Sequence, residues 1–430
     1  MSDVRPTDNL TDELCHPPGV LGDLVTHLES TAEYSCPEFF LSAALCLLSV
    51  ITGRKVEDYR GTRTNVFAVS VGPTGCGKNH ARMILKGILK NTHLEGPSKF
   101  TSEAGIATAL EVSPARLFQI DEIGEYLSAA CSDKAPAHLR SVISGLTEAF
   151  TAANSVWSPN AYASSKNVKT INQPHIVVHG TTNADSLFDG VTAKQIANGF
   201  VGRLLVFLSP GSGYARRQNF KLSPVSKSIT DFVQNWIARK SGKGNLSDAS
   251  PEPDLITIAS DAESRIEKHF RDISHRRIGE EPIAAAIWSR ASEKTSKLAL
   301  LLACSRCSNQ ISLEDVDWAI AVTNFLTRRL ISLIDGNVAS SDHERKVQRV
   351  MKIIAKNGVM SLSELCVACR WLHQKERQAI VLQLLEGGSV LDVVRFSATQ
   401  PARGLAIDEA SIFETSWVQV TPAMLTGKST

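Results

Sequence analysis

Between residues 66 and 89 the chain reads as a strand, a glycine-rich loop and a helix in direct succession. Residues 66–71, Val-Phe-Ala-Val-Ser-Val, have the β-branched and aromatic character of a fully buried strand. Gly72, Pro73, Thr74, Gly75, Cys76, Gly77, Lys78 and Asn79 follow, and residues 81–89 carry helical apolar spacing. Successive backbone N–H groups and the helix N-terminus then converge into an anion cradle, and Lys78 adds a mobile charge for terminal phosphates. The expected ligand is ATP with Mg2+. The pattern ordinarily ends in Ser or Thr, whose hydroxyl ligates the metal, whereas this chain has Asn79. An amide oxygen is still an oxygen ligand, so Asn79 is read as a metal-side residue; normal and reduced hydrolysis both stay open.

About 45 residues downstream, Leu117-Phe118-Gln119-Ile120 runs into Asp121-Glu122, the form of a Walker B strand. There Asp121 would hold magnesium and Glu122 would polarise the attacking water; the alternative is a solvated carboxylate pair closing a strand. Residues 175–180 read as another buried strand, ending at Thr181-Thr182-Asn183. Asn183 is the candidate polar contact to the γ-phosphate and water, with Thr181 and Thr182 as rivals and turn chemistry as the plain reading. Arg203, between apolar residues at the start of the next strand, is too costly to bury alone. It is either a finger reaching a neighbouring subunit's γ-phosphate or one arm of an internal salt bridge. Arg290, inside a helical block, is a candidate second phosphate sensor.

The runs Gly53-Arg54-Lys55-Val56, Arg63-Thr64-Asn65-Val66-Phe67-Ala68, Gly72 to His80 and Arg82 together resemble a family of phage- and plasmid-associated AAA+ ATPases. These are similar to replicative helicases, and their relatives are often fused to primase-polymerase domains. The likeness spans residues 21–333. It implies that Asn79 is a family trait, because the residue after the loop lysine is often neither Ser nor Thr there. It also implies a homo-oligomeric ring, a hexamer, with DNA in its pore and ATP between subunits. Only about 20 residues precede the first helix, so priming is left to a separate primase or polymerase.

The expected fold class is α/β: a P-loop AAA+ parallel sheet with helices on both faces, then an all-α lid and a winged helix. The expected divisions are a disordered tail (1–20), an N-terminal helical region (21–60), an ATPase core (61–215), a linker (216–255), a lid (256–338) and a winged-helix DNA-binding domain (342–430). The last two resemble the organisation of minichromosome-maintenance-type helicases. Residues 98–101 are read as a short strand. A polar stretch at 153–173, with Trp157, Tyr162, Lys166 and Lys169, is either a pore hairpin or a surface loop.

A net charge of +2 gives no global field for nucleic acid, so contacts must come from local runs. These are residues 216–221, 239–243, 276–277, 328–329 and 345–352, with Arg370, Lys375, Arg377 and Gln378 on the third C-terminal helix. The longest apolar run, residues 39–52, is too short to span a bilayer. Nine cysteines in largely apolar surroundings fit reduced thiols and a cytoplasmic location. Two Cys-x-x-Cys pairs, Cys304/Cys307 and Cys366/Cys369, lie on helical runs and read as core thiols in preference to a zinc site.

The leading expectation is an ATP-dependent DNA helicase for replication of a mobile element. A replication initiator or helicase loader without unwinding shares the fold. A DNA-binding protein that holds nucleotide without hydrolysing it is the alternative of another class.

Overall fold

The computed structural model describes residues 8–73, 75–131, 135–160, 170–188, 199–209, 216–218, 220–240, 251–335, 342–395, 402–412, 415 and 417–419. The chain is mixed α/β and divides into two compact units, Met1–Val338 and Ala339–Thr430.

The first unit is built on four parallel strands: β1 (Phe67–Val71), β2 (Ala115–Asp121), β3 (His175–Thr182) and β4 (Leu204–Leu208), in the order β2-β3-β1-β4. Side chains alternate between the faces, and both faces are apolar, which is why these strands read as continuous hydrophobic runs. Ala68, Leu117, Val177 and Phe207 join one core with helices α1 (Val20–Thr31), α2 (Pro37–Thr52) and α3 (Lys78–Leu89). Val69, Phe118, Val178 and Val206 join the other with α4 (Glu103–Val112), α5 (Ile123–Cys131) and α6 (Ala137–Thr151).

Helix α2 has no solvent face: every residue from Glu38 to Thr52 is buried. Pro37 starts it, as suits a first-turn position. One charge, Glu38, enters with it and needs a partner. Arg329 supplies a fork, Nη1 to Oε1 at 2.9 Å and Nη2 to Oε2. The Leu10 N–H donates to the same carboxylate at 2.8 Å, and Arg329 also donates to the Asp8 and Val206 carbonyls.

The longer helices that follow in this unit are α7 (Lys227–Ala238), α8 (Ser260–Ile278), α9 (Pro282–Trp288), α10 (Ala291–Ser305) and α11 (Leu313–Asp335). Leu298 to Leu302 of α10 share the core of α2, so the helices expected to form a lid belong to the same compact unit as the sheet.

Four readings need correction. Residues 8–20 are not a loose tail: Leu10 and Cys15 are buried, and the Thr11 side chain caps the turn Asp12–Cys15. Residues 1–7 lie outside the described residues. The linker at 216–255 contains α7, whose Ile229, Phe232, Val233 and Trp236 are buried, an amphipathic face masked by the polar residues around it. The strand expected at 98–101 is absent there; the edge contact comes earlier, as a parallel bridge from Glu95 to Leu117. Trp157 is not offered to solvent, because it is buried and its indole N–H donates to Glu148. Tyr162, Lys166 and Lys169 lie outside the described residues, between the paired strands Val156–Trp157 and Ile171–Asn172.

The second unit runs α12 (Asp342–Asn357), β5 (Val359–Ser361), α13 (Leu362–Ala368), α14 (Gln374–Glu386), β6 (Leu391–Arg395), β7 (Ala402–Ala406) and β8 (Val418–Gln419). Its strands are antiparallel, in the order β5-β7-β6-β8. Ser361 and Glu364 form a reciprocal capping box that starts α13. Val350, Ile354, Leu365, Ile380, Leu384 and Leu405 make its core.

Among the described residues no helix is long and apolar enough to cross a membrane.

Truncating Glu38 to Ala strands the Arg329 guanidinium in the core, and the unfolding free energy should fall by about 3–5 kcal/mol. Breaking the more exposed Arg265–Asp317 pair with Asp317→Ala should cost less than about 1 kcal/mol. Urea unfolding of both variants checks this; equal losses would mean that the Glu38 pair does not organise the core.

Candidate functional site

The register of the sheet sets the site. Val71 pairs with Thr182 and Leu208, and Asp121 pairs with Thr181, so the glycine-rich loop and the ends of β2 and β3 share one edge. β3 lies between the loop strand and the acidic strand. The loop is pulled onto that edge by the Gly72 N–H, which donates to the Thr182 carbonyl at 3.0 Å. A side chain at Gly72 would run into Phe39 of α2. Gly77 has φ +84° with the Tyr34 backbone close behind, so a residue with a side chain is strained there as well as crowded. Thr74 lies outside the described residues.

An open cleft of about 470 Å³ lies along this edge, with Gly75, Gly77, Lys78, Asn79, Asp121 and Glu122 in its wall. The sheet thus gathers both halves of the phosphate-site reading into one depression. Lys78 starts α3 and folds back across the loop: its Nζ donates to the Gly72 carbonyl at 2.7 Å and the Thr182 carbonyl at 3.0 Å. Glu122 is exposed and has φ +49°, a left-handed backbone that non-glycine residues rarely take and that clusters at functional sites. This turn carries the chain from β2 into α5 at the cleft.

Asp121 is held on both sides. Its Oδ1 accepts from the Thr181 hydroxyl at 2.7 Å, and its Oδ2 meets Nη1 of Arg82 at 2.9 Å. The same Nη1 donates to Asn79 Oδ1 at 3.0 Å. Burial alone would raise the Asp121 carboxyl, but hydrogen bonds from Thr181 and Arg82 outweigh it and leave its pKa below the ordinary value.

Asn183 does not reach the wall of this cleft. Its Oδ1 accepts the Ser186 N–H at 2.8 Å and caps the short helix Ala184–Phe188, so the turn chemistry won. Of its two rivals, Thr181 is the one in contact with Asp121, while the Thr182 hydroxyl accepts the Gly124 N–H.

Arg203 lies at the other end of the sheet. It closes the turn Phe200–Arg203 just before β4, and Leu204 pairs with Phe67 at the start of β1. Five residues of strand, roughly 15 Å, separate it from the edge that carries its own Lys78. It is buried, with Nη1 donating to the Gly199 carbonyl at 2.9 Å and Nη2 to the Thr151 hydroxyl at 3.0 Å. Among the described residues both of these partners are neutral oxygens, and the Glu293 charge acts on it from farther off.

Arg290 is not inside a helix, as expected, but at the joint where α9 gives way to α10. It lies beside Arg203 and not in the phosphate cleft, in a second pocket of about 140 Å³ with Arg60, Arg63, Glu293 and Lys297. Burial first, then the nearby Arg290 charge, lowers the Arg203 pKa. Lys297 is pushed down to about 8 by burial, with its Nζ on the Asn65 side chain and the Arg63 carbonyl.

The cleft wall also includes Glu33, Tyr34, Met83, Phe220 and Leu222, which sequence reasoning did not single out. Their signal was weak: one glutamate and four aromatic or aliphatic residues scattered through polar stretches, with Met83 69% exposed on its helix. The basic runs fare unevenly. Arg329 is fully buried on Glu38, and Arg216 and Arg217 clasp Glu33 and the Glu29 carbonyl. In the second unit Arg349 lies 4.4 Å over the ring of Trp371, itself 39% exposed.

No protein-family model and no curated protein matches this chain.

Strand β3 carries His175 at its start, far from the cleft, and His179 nearer to it, both fully buried and both pushed down to about 3, chiefly by burial. Their folded pKa lies below the unfolded one, so the unfolded chain binds protons first as pH falls below about 6.5. The stability is complete above that pH and is lost as pH drops towards 3. Each histidine should cost on the order of 1.4 kcal/mol per pH unit below about 6. Urea titrations at pH 7.5, 6 and 5 read this directly, and His179→Leu should flatten the slope; a stability that stays level to pH 5 would contradict it.

Proposed function

We propose that this chain is an ATPase that works on DNA as a ring of identical subunits, a helicase of replicative type. The single observation that carries the reading is the shared sheet edge: Lys78 of the glycine-rich loop and the Asp121–Glu122 strand end face one open cleft, with β3 between their strands. The apolar wall members Tyr34, Met83 and Leu222 offer a flat base something to lie against.

In this reading Lys78 leaves its two carbonyls to meet the terminal phosphates, and the loop N–H groups hold the phosphates from the other side. Glu122 is exposed at the strand end, where it can orient and polarise a water for in-line attack. Asn79 Oδ1 and the Asp121 carboxylate are the oxygen donors that would hold magnesium, and they would fit it as a set once Arg82 gave way. Bound magnesium would neutralise charge on the phosphates.

Arg203 is too far along the sheet to serve its own cleft. Its place beside Arg290 supports a cationic face that meets the phosphates of an adjoining subunit. The all-helical part of the first unit would be the AAA+ lid. The second unit, with its helix–strand–helix–helix–hairpin order, supports a winged helix that docks α14 on DNA.

A second reading has one observation in its favour. With Asn79 in the hydroxyl's place and Arg82 on Asp121, a protein that binds nucleotide without turning it over is also consistent.

DNA-stimulated ATP hydrolysis and strand displacement on a forked duplex test the proposal. Both should vanish in Lys78→Ala and in Glu122→Gln. Arg203→Ala should lower hydrolysis by on the order of 10³-fold. Mixing it with Lys78→Ala should restore part of the activity, because one mixed interface regains both groups. Absence of hydrolysis in the wild type leaves the binding-only reading; robust hydrolysis without displacement points to an initiator or loader; no recovery on mixing removes the role between subunits.

A further inference from the structure

A second cation stands just behind the cleft wall and bridges two of its residues, Asn79 and Asp121. A single nitrogen, Arg82 Nη1, lies 3.0 Å from Asn79 Oδ1 and 2.9 Å from Asp121 Oδ2. These are the two oxygens assigned to the metal. One positive group within reach of both is the arrangement that a divalent ion would otherwise provide. Arg82 is three residues after Asn79 on α3, so both project on the same side of the helix and the bridge is built into one turn.

Other observations point the same way. The Arg82 side chain is only 11% exposed, so it is packed in place and not a loose surface arm. Asp121 has little capacity left: Oδ1 takes the Thr181 hydroxyl and the Glu122 N–H, while Oδ2 takes Arg82. Asn79 is suited to this role, because a neutral amide oxygen accepts from guanidinium without adding charge. A Ser or Thr hydroxyl would be shorter.

We infer that Arg82 is a resident cation at the metal position, which holds Asn79 and Asp121 together before nucleotide arrives and which a divalent ion must displace. The inference rests on the nucleotide reading of the cleft. It assigns Arg82 as a positioning residue: it organises the ligand oxygens and competes with the metal, and takes no part in bond making. Two consequences follow from charge alone. Without metal, the guanidinium partly offsets the charge of the incoming phosphates, so the wild type retains nucleotide. With metal, two like charges cannot share one position, and part of the affinity gained from the ion is spent moving Arg82.

The test measures binding, not turnover. A fluorescent non-hydrolysable ATP analogue is titrated into the full chain with magnesium and again with EDTA, for wild type, Arg82→Gln and Arg82→Lys. Manganese binding in the presence of the same analogue is followed by the loss of its free electron-paramagnetic signal. Wild-type affinity should change by less than about threefold between magnesium and EDTA, whereas Arg82→Gln should change by at least about tenfold, the scale seen when groups that orient metal ligands are altered. Manganese should bind Arg82→Gln about tenfold more tightly than wild type. Arg82→Lys, which keeps the charge but loses the planar fork, should fall between them and also reports whether loss of charge has disturbed the fold. An equal magnesium-to-EDTA ratio in wild type and Arg82→Gln, with both binding the analogue, would overturn the role of Arg82 and leave the nucleotide reading intact. No binding by any of the three proteins under either condition would bring down both.

Discussion

Helix α2 has nowhere to put a polar side chain, and most of the first unit follows from that. A helix buried on all sides must be enclosed by sheet on one side and helices on the others, and α1, α7 and α10 supply the enclosure. Each large apolar side chain sealed there contributes roughly 1.5–3 kcal/mol, so the arrangement is strongly held. The same helix carries Phe39 against Gly72, and the turn before it carries Tyr34 against Gly77. The glycine-rich loop is therefore shaped from behind by the core. Glu38 is the one place where this packing admits a charge, and its pairing with Arg329 gathers the N-terminal residues, α2 and α11 at one point, with the Val206 carbonyl of β4 accepting as well.

Much of this was legible in the amino-acid order because parallel strands buried on both faces leave a plain signature. Residues 66–71, 115–120, 175–180 and 201–208 read as strands because apolar residues dominate them, and the loop between the first of them and α3 is spelled by its glycines; the last begins only at Leu204, because Phe200–Arg203 form a helical turn. The boundary near residue 338 was likewise marked by small and polar residues. What stayed hidden was of another kind. Amphipathic segments such as α7 resemble linkers when polar residues flank them. Leu10 and Cys15 are too few to announce that the first residues dock. Trp157 reads as an exposed aromatic until its partner Glu148 is known.

Individual site residues were legible in proportion to how much they depend on local geometry. Lys78, Asp121 and Glu122 are placed by strand ends, and they fell together. Asn183 was equally well placed by sequence but had a nearer use, since its amide oxygen caps the helix that begins one residue later by accepting the Ser186 N–H. Arg203 was read as a finger to a neighbouring subunit or an internal ion-pair arm, and Arg290 as a second phosphate sensor. Their meeting in a separate pocket depends on how α9 and α10 pack on the turn before β4, which no local pattern encodes. Arg82 was visible only as part of a family-like run, because a helix residue three positions past a ligand looks like any solvated arginine.

The lysine that folds back over its own loop has one more implication. An open anion cradle with a bare ammonium group would be a place of unmet polar demand, prone to capture whatever anion or carboxylate drifts past. Here Lys78 satisfies the Gly72 and Thr182 carbonyls at the ends of two strands. The loop and both strand ends are thus satisfied from within the chain. The Gly72 N–H ties the same two strand ends independently of the lysine, so their registration does not rest on where the Lys78 side chain lies.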